Sequence, residues 1–184
     1  MSEEGGVVEK GMQPEFSAVW KYCRGLGVDI GCGTNRLSPN VLALDAYYHG
    51  VGPGNPDLIW NASSLGEVPK SSPSRWFRDE CLDFIFSSHC LEDFRDIEGV
   101  LKEWWRKIKP EGYLVLLLPD MEGGRYPKVG EPGGNPSHRV NVGPKMMSEM
   151  VSRLFGSSCE VVQHDTLRGG CTFDFVMQKK EVAQ

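Results

Sequence analysis

Residues 28–47 read VDIGCGTNRLSPNVLALDAY. An apolar strand runs into Asp29, Gly31 and Gly33, and a second apolar strand ends at Asp45. Only seven residues, Thr34–Asn40, separate Gly33 from Val41, which leaves no room for a normal crossover helix. Glycine at 31 and 33 lets the backbone turn sharply and lets a ligand approach the amides without meeting a Cβ. The stretch therefore reads either as a ligand loop or as a tight turn between two strands. A dinucleotide fingerprint needs a third small residue three positions after Gly33, where Arg36 stands. It also needs a helix whose N-terminus holds the pyrophosphate. The G-K-[ST] of a phosphate loop is missing as well.

Outward from this stretch, strands alternate with helices. Phe16, Val19, Trp20 and Cys23 recur at helical spacing, so residues 14–24 read as a short helix entered through Pro14 and broken by Gly25 and Gly27. Leu26–Ile30, Val41–Leu44 and Leu58–Trp60 read as short strands. LGEVPKSSPSRWFRDE, residues 65–80, reads as a loop. LDFIFSS, residues 82–88, is a continuous apolar run, as in a strand covered on both faces of a parallel sheet. Ile97, Val100, Leu101, Trp104, Trp105 and Ile108 then mark one face of a helix, so both tryptophans read as core rather than as an aromatic platform. Asp96 is its N-cap, and KPEG is a turn into the strand YLVLLLP, residues 113–119. A helix over 144–155 starts with Pro144, and 159–167 and 171–180 form a hairpin around RGG. Strands alternating with helices before a terminal hairpin predict an open, Rossmann-like α/β sheet. It is mostly parallel, forms a three-layer sandwich and has its first crossover helix reduced. In such sheets ligands bind beyond the carboxyl ends of the strands, where strand order reverses.

The length of 184 residues fits one domain, read as 14–184 behind a mobile lead over 1–13. Residues 121–143, with six glycines and three prolines, form a substrate-side loop. No apolar run is long enough to span a bilayer, and the N-terminus lacks the pattern of a secretory signal, so a cytoplasmic protein is expected. The six cysteines form no C-x-x-C pair; reduced, packed thiols and no metal site are expected. A net charge of −5 without a cluster of Lys and Arg argues against nucleic acid. A small-molecule substrate and a monomer or homodimer are expected.

The ordered set VDIGCG, Asp45, NAS at 61–63, LDFIFSSHCLEDF and VLKEWWRKIKPEGYLVLLLPD resembles the class I S-adenosylmethionine-dependent methyltransferases of the type 11-like branch, over roughly residues 26–120. Asp93 departs from the histidine many members have, and Glu111 from the first glycine of the usual turn. The resemblance implies S-adenosyl-L-methionine as cofactor. It places Asp29 at the ammonium of the methionine moiety and the amides around Gly31, Cys32 and Gly33 along its path. Asp45 and Ala46 fall at the ribose, Asn61 and Ala62 at the adenine, and Ser87, Ser88 and His89 under the sulfonium end. A carboxylate at a strand end accepts two hydrogen bonds from vicinal hydroxyls without any phosphate, so the missing helix costs this cofactor little. The alternatives are a solvated turn residue for Asp45 and a helix cap for Asn61.

An activated methyl needs an in-line nucleophile and, for a protonated acceptor, a base. His138, His89 and Asp120 are the candidates, His138 favoured as the substrate-side group beside Arg139 and Tyr126, with an ordinary loop histidine as the alternative. His89 reads equally as a brace for the strand end. Arg125, Lys128 and Arg139 suit a carboxylated or phosphorylated acceptor, or are solvated charges. The expected activity is methyl transfer to O, N or C of a small molecule. A degenerate cofactor-binding module serving a partner is the first alternative, and a nicotinamide oxidoreductase the second. The side of the pocket at Thr34–Asn40 is expected to be open.

Overall fold

A computed structural model describes residues 16–47, 55–68, 77–168 and 170–181. The lead over 1–13, Pro14, His49 and the serine-proline run 69–76 lie outside the described residues. Seven strands form one sheet: β1 Gly27–Ile30, β2 Leu42–Asp45, β3 Leu58–Ile59, β4 Leu82–Ser88, β5 Ile108–Pro119, β6 Cys159–Arg168 and β7 Thr172–Lys179. Their order is β3-β2-β1-β4-β5-β7-β6. Pairing is parallel from β3 through β5, and β7 inserts antiparallel between β5 and β6. Strand order reverses between β1 and β4, so their carboxyl ends flank the crevice where such a sheet takes its ligand.

The helices α1, Ile97–Lys107, and α2, Pro144–Phe155, both pack on one face. Asp96 caps α1 by accepting from the Gly99 amide, and Val100, Leu101, Trp104 and Trp105 are buried, as their spacing predicts. The opposite layer is thin. Phe16, Val19, Trp20, Cys23 and Leu37 cover Phe84, Phe86, Val115, Leu117 and Val176. The helix expected over 14–24 is instead tight turns, with Trp20–Tyr22 a 3-10 helix and amides of Val19, Tyr22 and Cys23 bonding three residues back. The apolar spacing suits three residues per turn as well as 3.6, and the glycines at 25 and 27 leave too little chain for an α-helical nucleus to propagate.

The expected KPEG turn lies inside β5. Leu82 faces Ile108 and Phe84 faces Tyr113, so the sheet absorbs residues 109–112 as a bulge. Glu111 adopts φ +64 there, in the left-handed region. Glycine carries no steric penalty at this φ. Glu111→Gly is therefore expected to raise stability by about 0.5–1 kcal/mol, roughly 1–4 °C in thermal unfolding. A fall in melting temperature contradicts this account of the bulge.

Candidate functional site

The first crossover contains no helix, as its length predicts. Gly31 and Gly33 have φ +70 and +52. At Gly31 a Cβ would lie 2.4 Å from the Cys90 sulfur, whereas one at Gly33 would meet nothing within 4 Å. The first glycine thus admits Cys90 in the segment that follows β4, and the second leaves open space against the backbone. Within the stretch expected to be open, Thr34, Asn35, Pro39 and Asn40 are exposed, while Leu37 and Ser38 turn inward and Leu37 plugs the thin layer. The Leu37 amide donates to Asp29 at 2.7 Å, and Arg36 pairs with Asp57 at 2.6 Å.

Asp45 ends β2 with both carboxylate oxygens engaged. The Gly33 amide donates to Oδ2 at 2.9 Å and the Tyr47 amide to Oδ1 at 3.1 Å. These bonds fix the carboxylate and tie the glycine turn to the end of β2. A carboxylate oxygen carries two lone pairs, so a single amide bond does not exhaust it as an acceptor. Asn61 caps the 3-10 segment Ala62–Glu67, accepting from the Ser63 amide, and also lines the pocket; its two readings are compatible. The Ala62 carbonyl accepts from Trp104 Nε1 at 2.8 Å, which ties this wall to α1.

Gly31, Gly33, Asp45, Ala46, Asn61, Ala62 and His89 meet around one cavity of about 610 Å³, within the usual range for a small-molecule site. Tyr47, Trp60, Cys90, Asp93, Phe94 and Ser137 also line it. Sequence pattern marks none of these six as a contact; they follow the carboxyl ends of four different strands, β2, β3, β4 and β5. Arg139 lines the cavity too.

Asp29, Cys32, Ser87, Ser88, Asp120 and His138 are not among the lining residues. Asp29 is 1% exposed, with burial pushing its carboxyl up to about 7 against the lowering effect of the Leu37 amide. Burial likewise pushes the Cys32 thiol up to about 12. Ser87 is buried, and Asp120 accepts from the Gly123 amide at 2.8 Å and lies 3.8 Å from Arg125, organising the start of the 121–143 loop.

A folded pKa of about 7 lies above the ordinary carboxylate value, so the fold favours protonated Asp29. Its stabilising contribution is complete below about pH 4 and is lost as pH rises through 7. Wild type is therefore expected to lose stability between about pH 4 and 7 relative to Asp29→Asn, by at most about 1.4 kcal/mol per pH unit. A wild-type–variant difference that is flat with pH in urea unfolding contradicts this.

His89 follows β4 with φ +50, an uncommon conformation for a non-glycine residue. Its amide donates to the Leu117 carbonyl, and its Nε2 lies 2.9 Å from Thr172 Oγ1. It thus braces the strand end and forms part of the pocket wall. His138 is neither a surface histidine nor open to the pocket. It is 2% exposed, with Nε2 3.3 Å from a carboxylate oxygen of Glu92, which is 0% exposed. His89 Nδ1 lies 3.7 Å from the same oxygen. Glu92 also accepts the amides of Arg139 and Val140 on its main-chain carbonyl, clamping the end of the 121–143 loop onto the segment after β4.

Residues 28–116 match the family model described as a methyltransferase domain. Among solved structures, the fold matches a methyltransferase of Thermotoga maritima described as a possible histamine N-methyltransferase. Identity is 19%, TM-score 0.62, with 91% of this chain and 88% of that one covered. It also matches an Archaeoglobus fulgidus methyltransferase at 15% identity and TM-score 0.60, covering 89% of this chain and 91% of that one. A Burkholderia thailandensis 1,6-didemethyltoxoflavin N1-methyltransferase, solved with that compound and S-adenosylhomocysteine, matches at 14% identity and TM-score 0.63. There 92% of this chain and 78% of that chain are covered. No curated protein matches the chain.

Proposed function

We propose that this chain, whose residues 28–116 are an S-adenosylmethionine-dependent methyltransferase domain, transfers a methyl group to a small molecule taken up at the His89 side of its pocket. The observation that carries this reading is the pairing of the Gly33 turn with the Asp45 carboxylate across 2.9 Å, in a crevice with no helix behind the glycines. A pyrophosphate would find no helix N-terminus there. Vicinal ribose hydroxyls would find a fixed anion.

The residues present fit the cofactor. Asp45 would hold the ribose, with Asn61, Ala62 and Trp60 beside the adenine and the open backbone at Gly33 along the amino-acid chain. When bound, S-adenosylmethionine supplies a methyl group already activated on a sulfonium, so the protein's task is position rather than activation. His89 is held by Thr172 and the Leu117 carbonyl, and gives the acceptor side a fixed imidazole. His138, buried against Glu92, keeps the loop in place instead of meeting substrate. Of the three candidate bases, His89 alone lines the cavity.

A small-molecule acceptor is supported by the concave, local pocket and by a net charge of −5 that offers a polyanion no long-range attraction. The Burkholderia relative in fold acts on a compound of that kind. Among the described residues no helix is long and apolar enough to cross a membrane. Incubation with methyl-labelled S-adenosylmethionine and a metabolite extract tests the proposal, with label expected in a low-mass product. Cofactor binding with no labelled small molecule would instead make the chain a binding module without turnover.

A further inference from the structure

We propose that Arg139 is a carboxylate anchor in the wall of this pocket, a role that rests on the methyltransferase reading above. Ser137 and Arg139 both line the cavity, while His138 between them is buried against Glu92. The stretch is pinned from several directions. The amides of Arg139 and Val140 donate to the Glu92 carbonyl at 2.8 and 3.2 Å, and the Ser137 hydroxyl donates to Asp93 at 3.0 Å. The rim is therefore held in place before any ligand arrives, which lowers the ordering cost of binding.

The guanidinium itself is underused. Its Nη1 donates to the Pro136 carbonyl at 3.0 Å, and no carboxylate lies within ion-pair distance of it among the described residues. Arg36 and Arg153, by contrast, each hold a carboxylate at 2.6 Å. A guanidinium has five N–H donors in a planar fork that matches a carboxylate. Two acidic groups share the cavity, and both are engaged elsewhere. Asp45 receives the Gly33 and Tyr47 amides, and Asp93 accepts from Ser137 while burial raises its carboxyl above the usual range. Neither is bonded to Arg139, whose charge reaches Asp93 only through space, so an exposed cation among the lining residues keeps most of its donors unspent among the described residues.

A carboxylate reaches this site from one of two sources: the amino-acid end of the cofactor or the methyl acceptor. Two titrations separate them. In the first, S-adenosylhomocysteine and 5′-methylthioadenosine, which lacks the amino-acid end, are titrated calorimetrically into wild type and Arg139→Gln. A loss of about tenfold or more for S-adenosylhomocysteine, with methylthioadenosine unchanged, supports anchoring of the cofactor carboxylate. The unchanged methylthioadenosine also shows that the variant is folded. In the second, benzoate and its neutral isostere benzamide are titrated into the S-adenosylhomocysteine complex. Binding of benzoate over benzamide by wild type, lost in Arg139→Gln, supports anchoring of an acceptor carboxylate. If neither titration distinguishes Arg139→Gln from wild type, the anchor is overturned. If wild type binds neither nucleoside, the methyltransferase reading fails and takes the anchor with it.

Discussion

His138→Ala is expected to lower the unfolding free energy by about 3–5 kcal/mol, the penalty for leaving a buried charge without its partner. Glu92 is 0% exposed, and neither carboxylate oxygen has a hydrogen-bond partner among the described residues. Its compensation is the His138 ring at 3.3 Å, with the His89 ring farther off at 3.7 Å and partly open to solvent. Removing the nearer imidazole leaves a buried polar group without its near partner, and that costs stability. Roughly 10 °C or more should be lost in thermal unfolding. The pair should also be strongly non-additive. Once Glu92→Gln has removed the charge, the further change His138→Ala should cost much less than it does in wild type, and a double-mutant cycle measures that difference. A loss below about 1 kcal/mol for His138→Ala alone contradicts the buried pairing.

The second large effect falls on ligand affinity. Asp45→Ala is expected to weaken S-adenosylhomocysteine about 100-fold, since two charge-assisted hydrogen bonds to the ribose contribute at least about 1.5 kcal/mol each. Part of the loss is indirect, because the same carboxylate fixes the Gly33 and Tyr47 amides on either side of the pocket. Asp45→Asn keeps one carbonyl oxygen and should fall between the two. Affinity for the nucleoside within twofold of wild type in Asp45→Ala would remove Asp45 from the site.

The legible parts of the sequence were those set by local pattern. The apolar run of β4 and the 3.6-residue spacing of α1 depend on neighbours in the chain, and the structure keeps both. So does α2, whose start at Pro144 follows from the ring's fixed φ. The glycine turn and Asp45 were legible because a backbone turn and a charged strand end leave local marks. What escaped is long-range. Glu92 meets His138 across 46 positions, and no periodicity connects them. The resemblance places Asp29 at the cofactor, but no local pattern shows that its carboxylate accepts from the Leu37 amide and is buried. Tyr47, Trp60 and Phe94 lie in turns after three different strands, and only the sheet order brings them to one cavity. The 3-10 turns at Trp20–Tyr22 and the bulge at Glu111 were missed for a different reason. Their sequence patterns fit two geometries, and packing against the sheet selects the tighter one.

The central claim is that the shortened turn and Asp45 make a nucleoside site suited to a sulfonium cofactor rather than to a pyrophosphate. Calorimetric titration of the wild-type protein with S-adenosylhomocysteine and, separately, with NAD tests it most directly. Saturable micromolar or tighter binding of S-adenosylhomocysteine, with no heat of binding for NAD, is the expected result. Binding of NAD without binding of S-adenosylhomocysteine would contradict it.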